Sequence, residues 1–301
     1  MHIPKYWAKA EIKVRPGNRQ PFASFCWGWS DHSAEEARQV AAQRAALMTE
    51  RLTRDASFGR NAHDYYADAP LHEEIIQNIK GSEGQSIALV TRNSYGALVL
   101  NAAQAMFIDI DFPAKTASSN SHGGFGGLMQ TLISMVSGRK ANGGNHLSLE
   151  EEALANLRRI AAARPDMALR VYRTHSGLRA LVTNRIFDPK DGGIEGMLRS
   201  FGSDPLYIKL CTQQECFRAR LTPKPWRMGI WKTPANFPRE GKEADLAFKE
   251  WETKYNAKAA GFSTCRFVET LGPVEAIHQD IHAVLNLHDS LTGASSNRPL
   301  A

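Results

Sequence analysis

Phe107-Ile108-Asp109-Ile110-Asp111-Phe112 sets two aspartates two residues apart in an otherwise apolar run. Residues i and i+2 of a β-strand share a face, so both carboxylates project together. Like charges this close repel, and enclosing them costs free energy unless something positive shares the site. A hard divalent cation, Mg²⁺ or Mn²⁺, suits such oxygen donors and keeps waters or phosphates as its remaining ligands. That is the layout of a two-metal phosphoryl-transfer site. The competing reading is an edge strand whose acids face water. Phe107, Ile108, Ile110 and Phe112 favour a strand built into a core.

Upstream, residues 86–91 and 97–101 alternate around Arg92-Asn93-Ser94-Tyr95-Gly96 and read as a β-hairpin feeding directly into the aspartate strand. Further back, strands at 8–14 and 22–29 flank a Pro16-Gly17-Asn18 turn. A helix starts after Ser33, with Glu35 and Glu36 in its first turn, and runs to about Arg54. Downstream, residues 113–147 are rich in Gly, Ser and Asn and read as a mobile insertion. It carries a short apolar segment at 128–136, expected to be helical. Its glycines lack the Gly-x4-Gly-Lys-Ser/Thr phosphate loop. Ser148-Leu149-Glu150-Glu151 is a capping-box start for a helix ending near Arg164-Pro165. Strands at 168–172 and 178–183, a helix at 194–200, strands at 206–210 and 217–221, a helix at 242–259, a strand at 262–268 and a helix at 273–290 complete the reading. This order predicts an α+β fold with a largely antiparallel central sheet and flanking helices. Three segments are expected: a hairpin–helix segment at 1–80, an α+β core at 81–236, and a helical segment with one strand at 237–301.

Composition sets outer limits. The 301 residues carry 43% hydrophobic and 23% charged side chains and a formal charge of +6. These are ordinary values for a globular protein, and the mild basicity permits a nucleotide or nucleic-acid partner without demanding one. Four scattered cysteines, Cys26, Cys211, Cys216 and Cys265, make no disulfide scaffold and read as buried thiols. No apolar run approaches bilayer length, and residues 1–7 lack a signal-peptide core, so the expected location is the cytoplasm, away from membranes.

Three segments in order resemble the catalytic core of the archaeo-eukaryotic primase superfamily, including its primase-polymerase branch. Phe107–Asp111 resembles that family's first motif, an apolar strand ending in Asp-x-Asp or Asp-x-Glu. Residues 172–181, Tyr-Arg-Thr-His-Ser-Gly-Leu-Arg-Ala-Leu, resemble the second, a hairpin carrying Ser-Gly and then a phosphate-contacting histidine. Residues 203–207 and 217–221 resemble the third region, with an aspartate, a Tyr-containing strand and a Phe-Arg strand. The resemblance covers about residues 85–225. It implies a primase-polymerase-like core in which Asp109, Asp111 and Asp204 are catalytic and ligate Mg²⁺ or Mn²⁺. It also implies that Arg218 or Arg220 faces substrate phosphate; Arg173 or Arg179 would join in clamping it, with His175 and Ser176 in the same substrate-binding set. The chain departs from the pattern where the second motif should end in histidine: Arg179 or Ala180 stands there, and His175 precedes Ser176. An arginine can hold phosphate bidentately. The opening and the 220–227 segment also resemble a group of uncharacterised bacterial proteins, which implies no function.

Two function classes follow. One is a divalent-metal-dependent nucleotidyltransferase, or a nucleotide- and nucleic-acid-binding protein on that scaffold. The other is a non-catalytic interaction protein that keeps the fold and has lost chemistry. Lys224, Arg227 and Lys232, interleaved with Trp226 and Trp231, form the best candidate surface for DNA or RNA. Trp27-Gly28-Trp29 reads as strand packing before it reads as a stacking platform, and His278-x3-His282 reads as solvated or capping histidines before it reads as a zinc pair. No Gly-x-Ser-x-Gly nucleophile elbow is present.

Overall fold

The computed structural model describes residues 1–14, 22–54, 69–112, 148–273 and 277–301. The expected turn at 16–18 and the Gly-rich insertion at 113–147, with its apolar segment, lie outside the described residues. The protein is α+β, and among the described residues every strand-to-strand pairing is antiparallel, with one isolated parallel bridge between Ser263 and Leu300. Its residues divide into two compact units, 1–73 with 209–216, and 74–208 with 217–301.

In the first unit, β1 (Tyr6–Val14) pairs with β2 (Phe22–Ser30) in register from Tyr6 opposite Ser30 to Val14 opposite Phe22. Alternation gives this ribbon two faces. Ile12 and Cys26 point to helix α1 (Ala34–Arg54) and are buried with its Ala45 and Leu52. The Ser33 hydroxyl accepts from Glu36 N at 3.1 Å and starts the helix. A Cβ on Gly28 would sit 2.1 Å from Ala41 N, so glycine is required where helix and strand touch. Trp7, Trp27 and Trp29 occupy the other face: Trp7 stacks on His72 at 3.9 Å, Trp27 meets it edge-on at 4.6 Å, and Trp29 tilts against Trp7 at 5.7 Å.

The second unit holds two four-stranded sheets, with strand orders β10-β7-β8-β6 and β3-β4-β5-β9. The first comprises β6 (Phe107–Asp111), β7 (Leu169–Thr174), β8 (Gly177–Val182) and β10 (Cys265–Leu271). The second comprises β3 (Glu74–Lys80), β4 (Ser86–Arg92), β5 (Leu98–Ala102) and β9 (Phe217–Arg220). Every residue of β8 is buried, as expected of an apolar strand covered on both faces. Helix α2 (Leu149–Ala163) has the expected capping box between Ser148 and Glu151 and buries Leu154, Leu157, Ile160 and Ala161. Helices α3 (Ile194–Ser200), α5 (Lys242–Ala259) and α6 (Gln279–Thr292) follow, and His278 caps the last of them by accepting from Asp280 N. All four cysteines are buried thiols outside any disulfide.

The last strand and helix are displaced from the expected 262–268 and 273–290 to 265–271 and 279–292, and two elements depart from the sequence reading in kind. Residues 206–210 were expected to be a strand but lie inside helix α4 (Pro205–Gln214). The stretch is β-like in composition, yet its buried residues, Tyr207, Ile208, Cys211 and Gln214, fall at helical spacing. Asp204 caps its start, and Pro205 suits the first turn. Strand β3 went unread because it is an exposed edge: Ile75 and Ile76 are 50% and 45% accessible, so no apolar alternation marks it. Among the described residues no helix is long and apolar enough to cross a membrane.

Candidate functional site

Asp109 and Asp111 stand on β6, opposite Arg179 and Gly177 of β8. A Cβ on Gly177 would lie 1.9 Å from the Ile110 carbonyl oxygen, so only glycine lets the hairpin close this tightly on the acid strand. Phe112 N continues the ladder by donating to Ser176 O at 2.9 Å. The β7–β8 turn carrying His175 and Ser176 is thereby fastened beside the end of β6.

Asp204 arrives from a distant part of the chain. Its amide donates to the Asp109 carbonyl at 2.9 Å. One carboxylate oxygen accepts from Tyr207 N at 2.9 Å, capping α4. The Tyr207 hydroxyl donates to Phe107 O at 2.8 Å, so the start of α4 is tied to β6 at two points. Beside it, Ser203 Oγ is buried with no hydrogen-bond partner among the described residues.

Three acids thus share one neighbourhood, and the electrostatics register it. The Asp111 carboxyl is pushed up to about 6 by burial first, then by Asp109 and Asp204, against the opposing pull of Lys224 and Arg227. Asp111 still reaches solvent at the end of its strand. It is a strained anion that a cation would relieve.

The basic residues fall into two groups. Arg179 is only 4% exposed; its Nε donates to Asp109 Oδ1 at 3.4 Å and its Nη1 to the Arg220 carbonyl at 2.9 Å. Arg173 pairs with Glu150 at 2.7 Å and donates to the Thr174 and Gly177 carbonyls, bracing the β7–β8 turn. These two guanidinium groups are engaged by the protein itself. Arg218 is buried on β9 opposite Asn101.

Arg220, Lys224, Arg227 and His175 make the second group, in which Arg220 is itself engaged, its Nη1 donating to the Thr222 and Ala301 carbonyls at 3.1 and 3.3 Å. Burial, then Arg220 and Arg227, lower the Lys224 ammonium to about 8. Burial, then Arg227, Arg173, Arg220 and Lys224, hold the His175 imidazole below its usual range. Arg227 Nη2 donates to Ser176 Oγ at 2.8 Å, and the same oxygen lies 2.9 Å from His175 Nδ1. Mutually repelling cations crowded around a neutral imidazole favour an anion.

Helix α6 supplies a network that sequence reasoning missed. His288 is fully buried, with Nε2 3.4 Å from Arg179 Nη1 and Nδ1 3.0 Å from Asp289 Oδ1. A guanidinium only donates, so Nε2 is the lone-pair nitrogen and Nδ1–H points to Asp289. Burial lowers this imidazole to about 4, keeping it neutral. Asp289 also accepts from the Tyr172 hydroxyl at 2.6 Å and from Arg170 at 2.8 Å. A chain of contacts therefore runs Asp289–His288–Arg179–Asp109, with its two middle members buried and its end carboxylates partly exposed. Nothing local in the sequence marks it, because its members are brought together only by the fold.

Among the described residues no group of three or more His, Cys, Asp or Glu side chains is arranged to enclose a metal ion. Mg²⁺ does not require enclosure, since one or two carboxylates suffice when water and substrate phosphate fill its other positions. Of the three acids, Asp111 carries the raised carboxyl, Asp109 already pairs with Arg179, and one oxygen of Asp204 caps α4. Comparison of the chain with protein-family models, with curated proteins and with solved structures found no match.

Proposed function

We propose that this site performs divalent-metal-dependent nucleotidyl transfer on a primase-polymerase-like core. The observation that carries the reading is the meeting of Asp109, Asp111 and Asp204 with a cation arm: Asp111 feels both other acids as well as Lys224 and Arg227. Asp109, Asp111 and Asp204 would hold Mg²⁺ or Mn²⁺. When bound, the metal supplies charge neutralisation at the attacking and leaving oxygens.

The chain's own groups do the rest. Lys224 and Arg227 hold the anionic phosphates, with Arg220 behind them bonded to the Thr222 and Ala301 carbonyls and Ser176 fixed between His175 and Arg227 as a further polar contact. Arg179 acts on Asp109 rather than on substrate, because its guanidinium is buried and engaged. His288 and Asp289 hold that guanidinium in place.

Purified protein incubated with labelled nucleotides, a primed template and Mn²⁺ tests this. Extension by the wild type and its loss in Asp109→Ala are expected; extension unchanged by Asp109→Ala excludes this site as its source. A second reading, a non-catalytic interaction protein that keeps the fold, is favoured by the Arg179 ion pair, which competes with a metal for Asp109. Calorimetry with Mn²⁺ separates the two, since binding below the millimolar range belongs to the first reading alone.

A further inference from the structure

Trp231 is 89% exposed and Trp226 is 53% exposed, although tryptophan is the side chain that gains most from burial. Their backbone is not loose. Residues Pro225–Met228 form a single 3-10 turn closed by Gly229 in the left-handed region at φ 76°. Ile230 N donates to Pro225 O at 3.1 Å, and Thr233 N to Tyr95 O at 3.5 Å. The Trp251 indole N–H donates to Trp231 O at 2.9 Å. The loop is pinned at several points while the Trp231 ring has no ring contact among the described residues. The Tyr95 ring meets Trp226 edge-on at 5.1 Å, and Lys224 Nζ lies 5.6 Å from the Trp226 centroid.

We propose that Trp226 and Trp231, together with Lys224, Arg227 and Lys232, form a platform for single-stranded nucleic acid, whose bases stack on the two rings. This deepens the nucleotidyl-transfer reading and rests on it for its purpose, not for its chemistry. Charge complementarity selects the occupant: three cations alternate with the two rings over nine residues, Lys224 to Lys232. A strand with one phosphate and one base per unit matches that alternation. Lys224 and Arg227 also act on Asp111, so a strand on this platform lies next to the acids. Every base has a π-face, so the platform tolerates any sequence and is blocked for duplex DNA, whose bases are already stacked.

Fluorescence anisotropy with labelled dT12 and U12, in EDTA and without nucleotides, tests the platform apart from transfer. Binding to at least one of the two is expected at low salt. Trp226→Ala and Trp231→Ala should each weaken it roughly 5- to 150-fold, the range of one lost base stack, without changing its salt slope. Trp231→Phe should recover most of the loss, which a misfolded variant would not. Lys232→Ala should flatten the slope by about 0.7. Absence of binding to both oligonucleotides overturns the proposal. So does binding indifferent to both tryptophans, or binding to anionic vesicles alone. Strand binding without extension sinks the transfer reading and leaves the platform standing.

Discussion

Replacing Asp111 with asparagine removes one of three crowded negative charges while keeping shape, so the variant should be more stable than the wild type at neutral pH. The ordinary carboxyl value of 3.8 is raised to about 6 in the folded chain. At 1.36 kcal/mol per pH unit that is about 3 kcal/mol. Because Asp111 touches solvent at its strand end, screening reduces the expected gain to about 1 kcal/mol. The pH dependence is diagnostic. Folded Asp111 keeps its proton up to about pH 6, whereas the unfolded chain releases it near 3.8. Wild-type stability therefore falls as pH rises through that window and levels off above it. Asp111→Asn does not titrate, so its advantage should be near zero at pH 4 and full at pH 7.5. Urea unfolding of both proteins at the two pH values measures the difference directly. Mn²⁺ at ten times its dissociation constant should stabilise the wild type by about 1.4 kcal/mol and the variant by less. An advantage that is absent at pH 7.5, or equal at the two pH values, refutes the crowding argument.

Gly177→Ala should destabilise the second unit by several times the roughly 1 kcal/mol of a typical substitution, because the new methyl meets the Ile110 carbonyl at 1.9 Å; loss of soluble expression, or a large drop in the urea midpoint, is the readout. Lys224, lowered to about 8, should be the fastest-labelled lysine with an amine-directed reagent at pH 7.5, since it carries more free amine than an ordinary lysine. Labelling by mass spectrometry that ranks it with exposed lysines such as Lys242 would remove it from the cation arm.

Much of the scaffold was legible because its signals are local. The Ser148–Glu151 box starts α2, and the 242–259 stretch forms a helix over those same residues. The hairpins at β4–β5 and β7–β8 follow from turn residues between apolar runs. Local reading failed where surroundings overrode composition. Leu206–Leu210 is β-like in residue type, but the Asp204 cap and the burial of Tyr207, Ile208 and Cys211 along one side make it a helix. Strand β3 owes its existence to pairing with β4 and has no apolar face of its own to announce it.

The candidate site divides the same way. A two-residue spacing on a strand obliges Asp109 and Asp111 to share a face, and the alternation of lysine, arginine and tryptophan from Lys224 to Lys232 is visible in the residues themselves. That Asp204 joins them required the hydrogen bond from its amide to Asp109 and the Tyr207 tie to Phe107. That Arg179 turns to Asp109, held by a neutral His288 from the last helix, could be decided only in three dimensions. A chain encodes short-range geometry in its spacing, but the charge state and orientation of a buried group depend on which distant segments enclose it.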